Sequence, residues 1–161
     1  FLDNLAVYCL GNLILFLIKP CSRSFRTKSG KMYYARDLKT AELLDTLRDI
    51  SIDLSNNIDQ GDSYLLKKNL QNTSFKELID INPNILAWNY DKGREIGIKI
   101  YTISGTPMKS NEILHSLFHE LAHSVTINWG HGPNWSENDA QLQLLKPKYV
   151  EILINKTFIT E

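Results

Sequence analysis

At 161 residues the chain has room for one ordinary domain, which excludes an enzyme with separate cofactor and substrate domains. Eighteen Lys and Arg balance eighteen Asp and Glu, so no bulk charge draws the chain to nucleic acid or to an anionic surface. With 43% hydrophobic and 22% charged residues it has the composition of a globular protein, and its two cysteines, Cys9 and Cys21, fit neither a disulfide framework nor a CxxC metal site.

Residues 5–18 are an uncharged apolar run that reaches about 18 residues when 1–4 are counted with it, close to the length that spans a bilayer. Lys19, Arg23, Arg26, Lys28 and Lys31 follow the run, only Asp3 precedes it, and no small-residue cleavage site closes it. This pattern predicts a hydrophobic helix over 1–18 that anchors the chain in a membrane, with its C-terminal side in the cytosol. A helix docked on the domain or on a partner, or a targeting segment, are the other readings of the same run. Residues 19–35, basic and Ser-rich without periodicity, read as a linker, and 36–161 as the folded domain.

Beyond Asp37, Leu43, Leu47, Ile50 and Leu54 recur at helical spacing, predicting an amphipathic helix that ends near Asn56 and Asn57. A shorter helix is expected over 63–70. Ser74 and Glu77 have capping-box spacing, which predicts a further short turn before Asn82 and Pro83 stop it. The period then changes. Residues 85–90 and 95–103 flank Asp91-Lys92-Gly93, and Ile96, Ile98 and Ile100 alternate, the pattern of a β-hairpin with one buried face.

Gly105, Pro107 and a cap at Ser110 separate that hairpin from a helix running to about residue 127, with Ile113, Leu114, Leu117, Phe118, Leu121 and Val125 as its apolar stripe. A loop over 128–135 follows. Ser136 is placed to cap a helix through Leu145, Pro147 interrupts it, and 148–158 reads as helix or strand. The fold class is therefore α+β, a small hairpin sheet packed on one long helix, with a hydrophobic helix at the N-terminus.

The chemistry is concentrated in that helix and the loop after it, because all four histidines fall between residues 115 and 131. His119-Glu120-Leu121-Ala122-His123 is an HExxH motif, and residues i and i+4 lie one turn apart on one helix face. Both imidazoles can therefore reach one metal ion, with the intervening Glu beside it to handle a water proton. A catalytic zinc takes three protein ligands, so a third is needed. His131, within Trp129-Gly130-His131-Gly132-Pro133, stands first, because the glycines let the backbone turn back toward the helix. Glu151 and Glu137 are the alternatives. The metzincin pattern is excluded: seven residues rather than five separate His123 from His131, and the only methionines, Met32 and Met108, lie upstream.

Residues 86–135 carry a resemblance. The strand from Glu95, the HExxH helix, and His131 followed by Gly132, Pro133 and Trp135 resemble the WLM and SprT-like family of small zinc metalloproteases. In that family a β-hairpin precedes the HExxH helix, and a His followed by Gly-Pro and an aromatic residue supplies the last ligand. The resemblance implies a zincin-like fold, Zn²⁺ held by His119, His123 and His131, Glu120 as the catalytic base, and hydrolysis of peptide bonds. Several members act on proteins crosslinked to DNA or carrying ubiquitin-like modifiers.

The expected function is a membrane-associated zinc metalloendopeptidase acting on a protein or peptide. Two rivals are an anchored structural component, for example of a virus particle, that uses the fold as scaffold, and a soluble protease for DNA-crosslinked proteins whose arm over 19–31 touches phosphate. Within the peptidase reading, the strand over 95–103 offers an edge for an extended substrate. Tyr101 or Tyr149 is available to steady an oxyanion. Trp129 and Trp135 either line a substrate pocket or pack the loop, and His115 is either a supporting residue or an exposed helix position.

Overall fold

The computed structural model of the protein describes residues 22–57, 68–70 and 72–161, so the apolar run over 1–18 and most of the helix expected over 63–70 lie outside the described residues. Among the described residues no helix is long and apolar enough to cross a membrane.

Strands Arg23–Arg26 (β1) and Met32–Ala35 (β2) pair antiparallel around a turn closed by the Thr27 N–H donating to the Lys31 carbonyl. This corrects the linker expected over 19–35. Tyr33 and Ala35 are buried while Met32, Tyr34, Arg23 and Arg26 face water, so the pair carries too little apolar alternation to stand out. Helix Leu38–Asn57 (α1) follows, as its spacing predicts. Asp37 Oδ1 accepts the Thr40 N–H at 2.9 Å to hold the first turn, and Leu43, Leu44, Leu47, Ile50 and Leu54 are buried.

Residues Ser74–Glu77 form a strand (β3), not the capped turn expected there. Ser, Phe, Lys and Glu alternate in burial, and β3 pairs parallel with β2 on one side and with Glu95–Ile98 (β5) on the other. Ala87–Tyr90 (β4) pairs antiparallel with β5. The sheet therefore has five strands in the order β1-β2-β3-β5-β4, larger than the hairpin sheet expected, and the hairpin is its last two strands. Phe75, Glu77, Ile96, Ile98, Ala87 and Asn89 share the inner face by register.

Helix Ser110–Val125 (α2) packs on β4 and β5. Ser110 is its first residue rather than its cap: the cap position is Lys109, whose backbone N–H donates to Glu112 Oε2 at 3.0 Å. Ile113, Leu114, Leu117, Phe118 and Leu121 are fully buried, each contributing about 1.5–3 kcal/mol relative to exposure. Helix Pro133–Leu144 (α3) starts three residues before the predicted Ser136, with Gly132 as cap and Pro133 at the first helical positions. The interruption expected at Pro147 is there: α3 ends at Leu144, and helix Lys146–Lys156 (α4) opens with Pro147 in its first turn, where proline is tolerated. α4 closes the core against α1 and α2: Tyr149 meets Phe118 edge-on at 5.9 Å and donates to Asp53 Oδ2 of α1 at 2.8 Å.

Candidate metal centre

His119 and His123 are half-buried on α2, one turn apart, and the loop from Thr126 to Gly132 carries His131 back over them. His131 Nε2 lies 3.1 Å from His123 Nε2 and 3.2 Å from His119 Nε2. Two ligands of a tetrahedral ion with metal–nitrogen bonds of about 2.0–2.1 Å stand about 3.3 Å apart, which both separations from His131 match, and the ligand atoms of all three residues lie within 4.8 Å of one another. An all-imidazole donor set suits zinc and its first-row neighbours rather than a hard cation such as Mg²⁺ or Ca²⁺. Among the described residues, no other group of three or more His, Cys, Asp or Glu side chains converges in this way. Glu137 and Glu151, the alternative third ligands, are exposed on α3 and α4 and do not join the group.

The protonation states favour ligation. Burial, then the neighbouring His119 and His131 and the Lys92 cation, push His123 down to about 4. Burial also lowers His119, against a smaller opposing pull from Asp139. Both rings are therefore neutral at neutral pH, with a lone pair available. Glu120, one residue beyond His119, is 7% exposed, and burial alone pushes its carboxyl up to about 7. Among the described residues no side chain hydrogen-bonds that carboxylate; its backbone carbonyl accepts from Asn89 at 2.7 Å.

Two crystal structures are similar to this chain. Wss1 from Saccharomyces cerevisiae matches at 18% identity and a TM-score of 0.45, covering 65% of this chain and 83% of that one. A Wss1 mutant from the same organism matches at 17% identity and the same TM-score, covering 65% of this chain and 84% of that one. No protein-family model and no curated protein matches the sequence.

Trp135, in the first turn of α3, packs against all three imidazoles, with ring centroids 4.7, 5.2 and 4.4 Å from His119, His123 and His131. It thus packs the loop onto the helix, the second of the two roles expected for it. Trp129 is 76% exposed, with the Lys92 ammonium 4.7 Å from its ring centre. His115 is exposed on α2 and stands outside the cluster. Tyr101 and Tyr149 do not serve the site. Tyr101 is buried, 3.1 Å from Thr40 Oγ1 and stacked on Phe158, and Tyr149 is committed to Asp53.

Sequence reasoning missed the residues that fasten the end of α2. Asn89 of β4 donates to the Glu120 carbonyl and to Ser124 Oγ, at 2.7 and 2.9 Å, while its own Oδ1 accepts the Gly93 N–H. Asn69 donates to the Ser124 carbonyl at 2.8 Å. Gly93 has φ 94°, and a Cβ there would come within 2.5 Å of Ser124 Oγ, so the β4–β5 turn meets the helix at a distance only glycine allows. The turn signal in Asn89-Tyr90-Asp91-Lys92-Gly93 was visible; the contact with α2 was not.

Proposed function

We propose that the chain is a zinc-dependent metalloendopeptidase, with the ion held by His119, His123 and His131 and with Glu120 as the catalytic base. The observation that carries this reading is the meeting of three imidazole Nε2 atoms, at 3.1 and 3.2 Å, beside a buried carboxyl poised near neutrality. A bound Zn²⁺ would supply Lewis acidity toward a water and a scissile carbonyl. Glu120 takes the proton of the attacking water and returns it to the departing amine, a task suited to a group whose pKa lies near 7. Trp135 keeps the imidazoles in register and excludes water from one side of them.

The edge for an extended substrate is β4 rather than the strand over 95–103, because β5 is paired on both sides while β4 ends the sheet order. Asn89 fixes that edge to α2 at Glu120, so peptide and base would share one frame.

The test is cleavage of an unstructured protein by the full chain in mild detergent, before and after chelation and after Zn²⁺ is restored. Activity is expected to follow the zinc and to fall about 10²–10⁴-fold in Glu120→Gln with zinc content unchanged. Cleavage that survives Glu120→Gln, or none at any zinc level, would contradict the proposal.

A further inference from the structure

The β4–β5 turn reaches across to the loop that carries His131. Lys92 Nζ donates to the Thr126 carbonyl at 2.6 Å and to the Asn128 carbonyl at 2.7 Å, groups 34 and 36 residues away in sequence. Thr126 is the residue that ends α2, where exposed carbonyls and the helix dipole favour a cation. Asn128 stands three residues before His131, and Trp129 between them lies under the same ammonium at 4.7 Å.

The turn is held in an uncommon conformation to make this reach. Asp91, Lys92 and Gly93 have φ of 50°, 54° and 94°, three successive residues in the left-handed region, two of them with side chains. Such residues persist where surrounding contacts over-determine them. Here Asn89 accepts the Gly93 N–H, Thr73 donates to the Gly93 carbonyl, and Gly93 abuts Ser124. The loop itself has little of its own to hold it, since residues 127–134 are all exposed. Its side-chain ties include Lys92 at Thr126, Asn128 and Trp129, Asn138 at Thr126, Thr126 Oγ1 at the Ala122 carbonyl, and Trp135 against the imidazoles.

We infer that Lys92 is a positioning residue for His131, fastening the end of α2 to the histidine loop so that the third imidazole meets the other two. This rests on the metal-site reading above. Simple electrostatics predicts the opposite effect, because an ammonium close to a cation site repels the ion. Removing the charge alone would tighten metal binding, whereas releasing the loop loosens it, and the sign of the change separates the two.

The experiment measures Zn²⁺ affinity of the full chain by competition with a chelating dye. Lys92→Met keeps the side-chain length and removes the donors; it is expected to weaken Zn²⁺ binding about tenfold or more. Lys92→Arg, which restores charge and donors, is expected to bind within a few-fold of wild type. In a His131→Ala background Lys92→Met should cause no further loss. Amide exchange over 127–131 in the metal-free protein should rise in Lys92→Met and not in Lys92→Arg, which a merely stabilising role elsewhere would not produce. If Lys92→Met does not fold, Lys92→Ala, which also removes the donors, carries the same comparisons. Equal or tighter Zn²⁺ binding in Lys92→Met, or an undiminished loss in the His131→Ala background, would overturn the inference while leaving the metal site standing. A folded wild-type chain that binds no Zn²⁺ would overturn both.

Discussion

Glu77 in β3 and Glu120 in α2 are both carboxylates taken out of water, 4% and 7% exposed, and burial raises the pKa of each. They differ in what meets them. Glu77 receives the Arg36 backbone N–H at 2.8 Å and the Arg36 guanidinium at 2.6 Å, which pull it back toward its ionised form. Arg36 in turn lies 3.9 Å from the centre of the Tyr101 ring, so the charge pair is sealed at the start of α1. Glu120 receives nothing comparable: the polar groups around it, Asn89, Asn69 and Ser124, bind backbone or one another. A carboxylate that only holds the fold is neutralised by a partner, and one left unpaired in the interior stores free energy that a reaction can use.

The largest expected effect comes from removing the partner of the paired carboxylate. Arg36→Met should lower stability by about 3–5 kcal/mol at pH 7, because it leaves Glu77 buried without its guanidinium. The loss should shrink in acid, where Glu77 protonates, and urea unfolding at pH 7 and pH 4 would measure both values. Gly93→Ala leaves both carboxylates intact and strains only the turn against Ser124. It should cost about 2 kcal/mol, from the positive φ and the clash together, in the same unfolding measurement.

Glu120→Gln should do the reverse of Arg36→Met. The folded-state pKa of about 7 lies above the ordinary value of 4.5, so the wild-type chain loses stability as pH rises from 4.5 through 7. The metal-free variant should therefore gain on the order of 3 kcal/mol at pH 8 and nothing at pH 4, read by thermal unfolding after chelation. No gain at pH 8 would mean that Glu120 is no more strained than Glu77.

The smallest effect belongs to an exposed carboxylate. Tyr149 and Lys148 lower the Asp53 pKa by hydrogen bonding, so this contribution is present above about pH 4 and is lost as pH falls through the folded-state value. Tyr149→Phe should cost about 1 kcal/mol at pH 7, because the carboxylate is half in water, and the difference from wild type should vanish in acid unfolding.

The site was more legible in the sequence than the fold was. The HExxH spacing is local helix geometry, and His131 with its glycines lies only eight residues further on, so the ligands could be read from a short window. The alternation of Ile96, Ile98 and Ile100 likewise marked the hairpin, although strand β5 ends at Ile98. What escaped was non-local. β3 is four residues long and pairs parallel with β2 and β5, and its Glu77 finds Arg36 41 residues away, so Ser74 and Glu77 offered only a local capping pattern. β1 turns Arg23, Ser24 and Arg26 to water and β2 exposes Met32 and Tyr34, so neither four-residue strand shows an apolar–polar alternation. Lys92 and Asn89 act on backbone carbonyls and a serine hydroxyl, groups that any sequence presents, so no residue pattern announces them.

The most direct test of the central claim is elemental metal analysis of the full chain, wild type beside His131→Ala. One zinc per wild-type chain and a large loss in the variant are predicted, since an HExxH pair alone leaves the ion with two protein ligands. Well-folded wild-type protein that carries no zinc after exposure to it, or a variant that keeps its zinc undiminished, would contradict the three-histidine site and the reaction built on it.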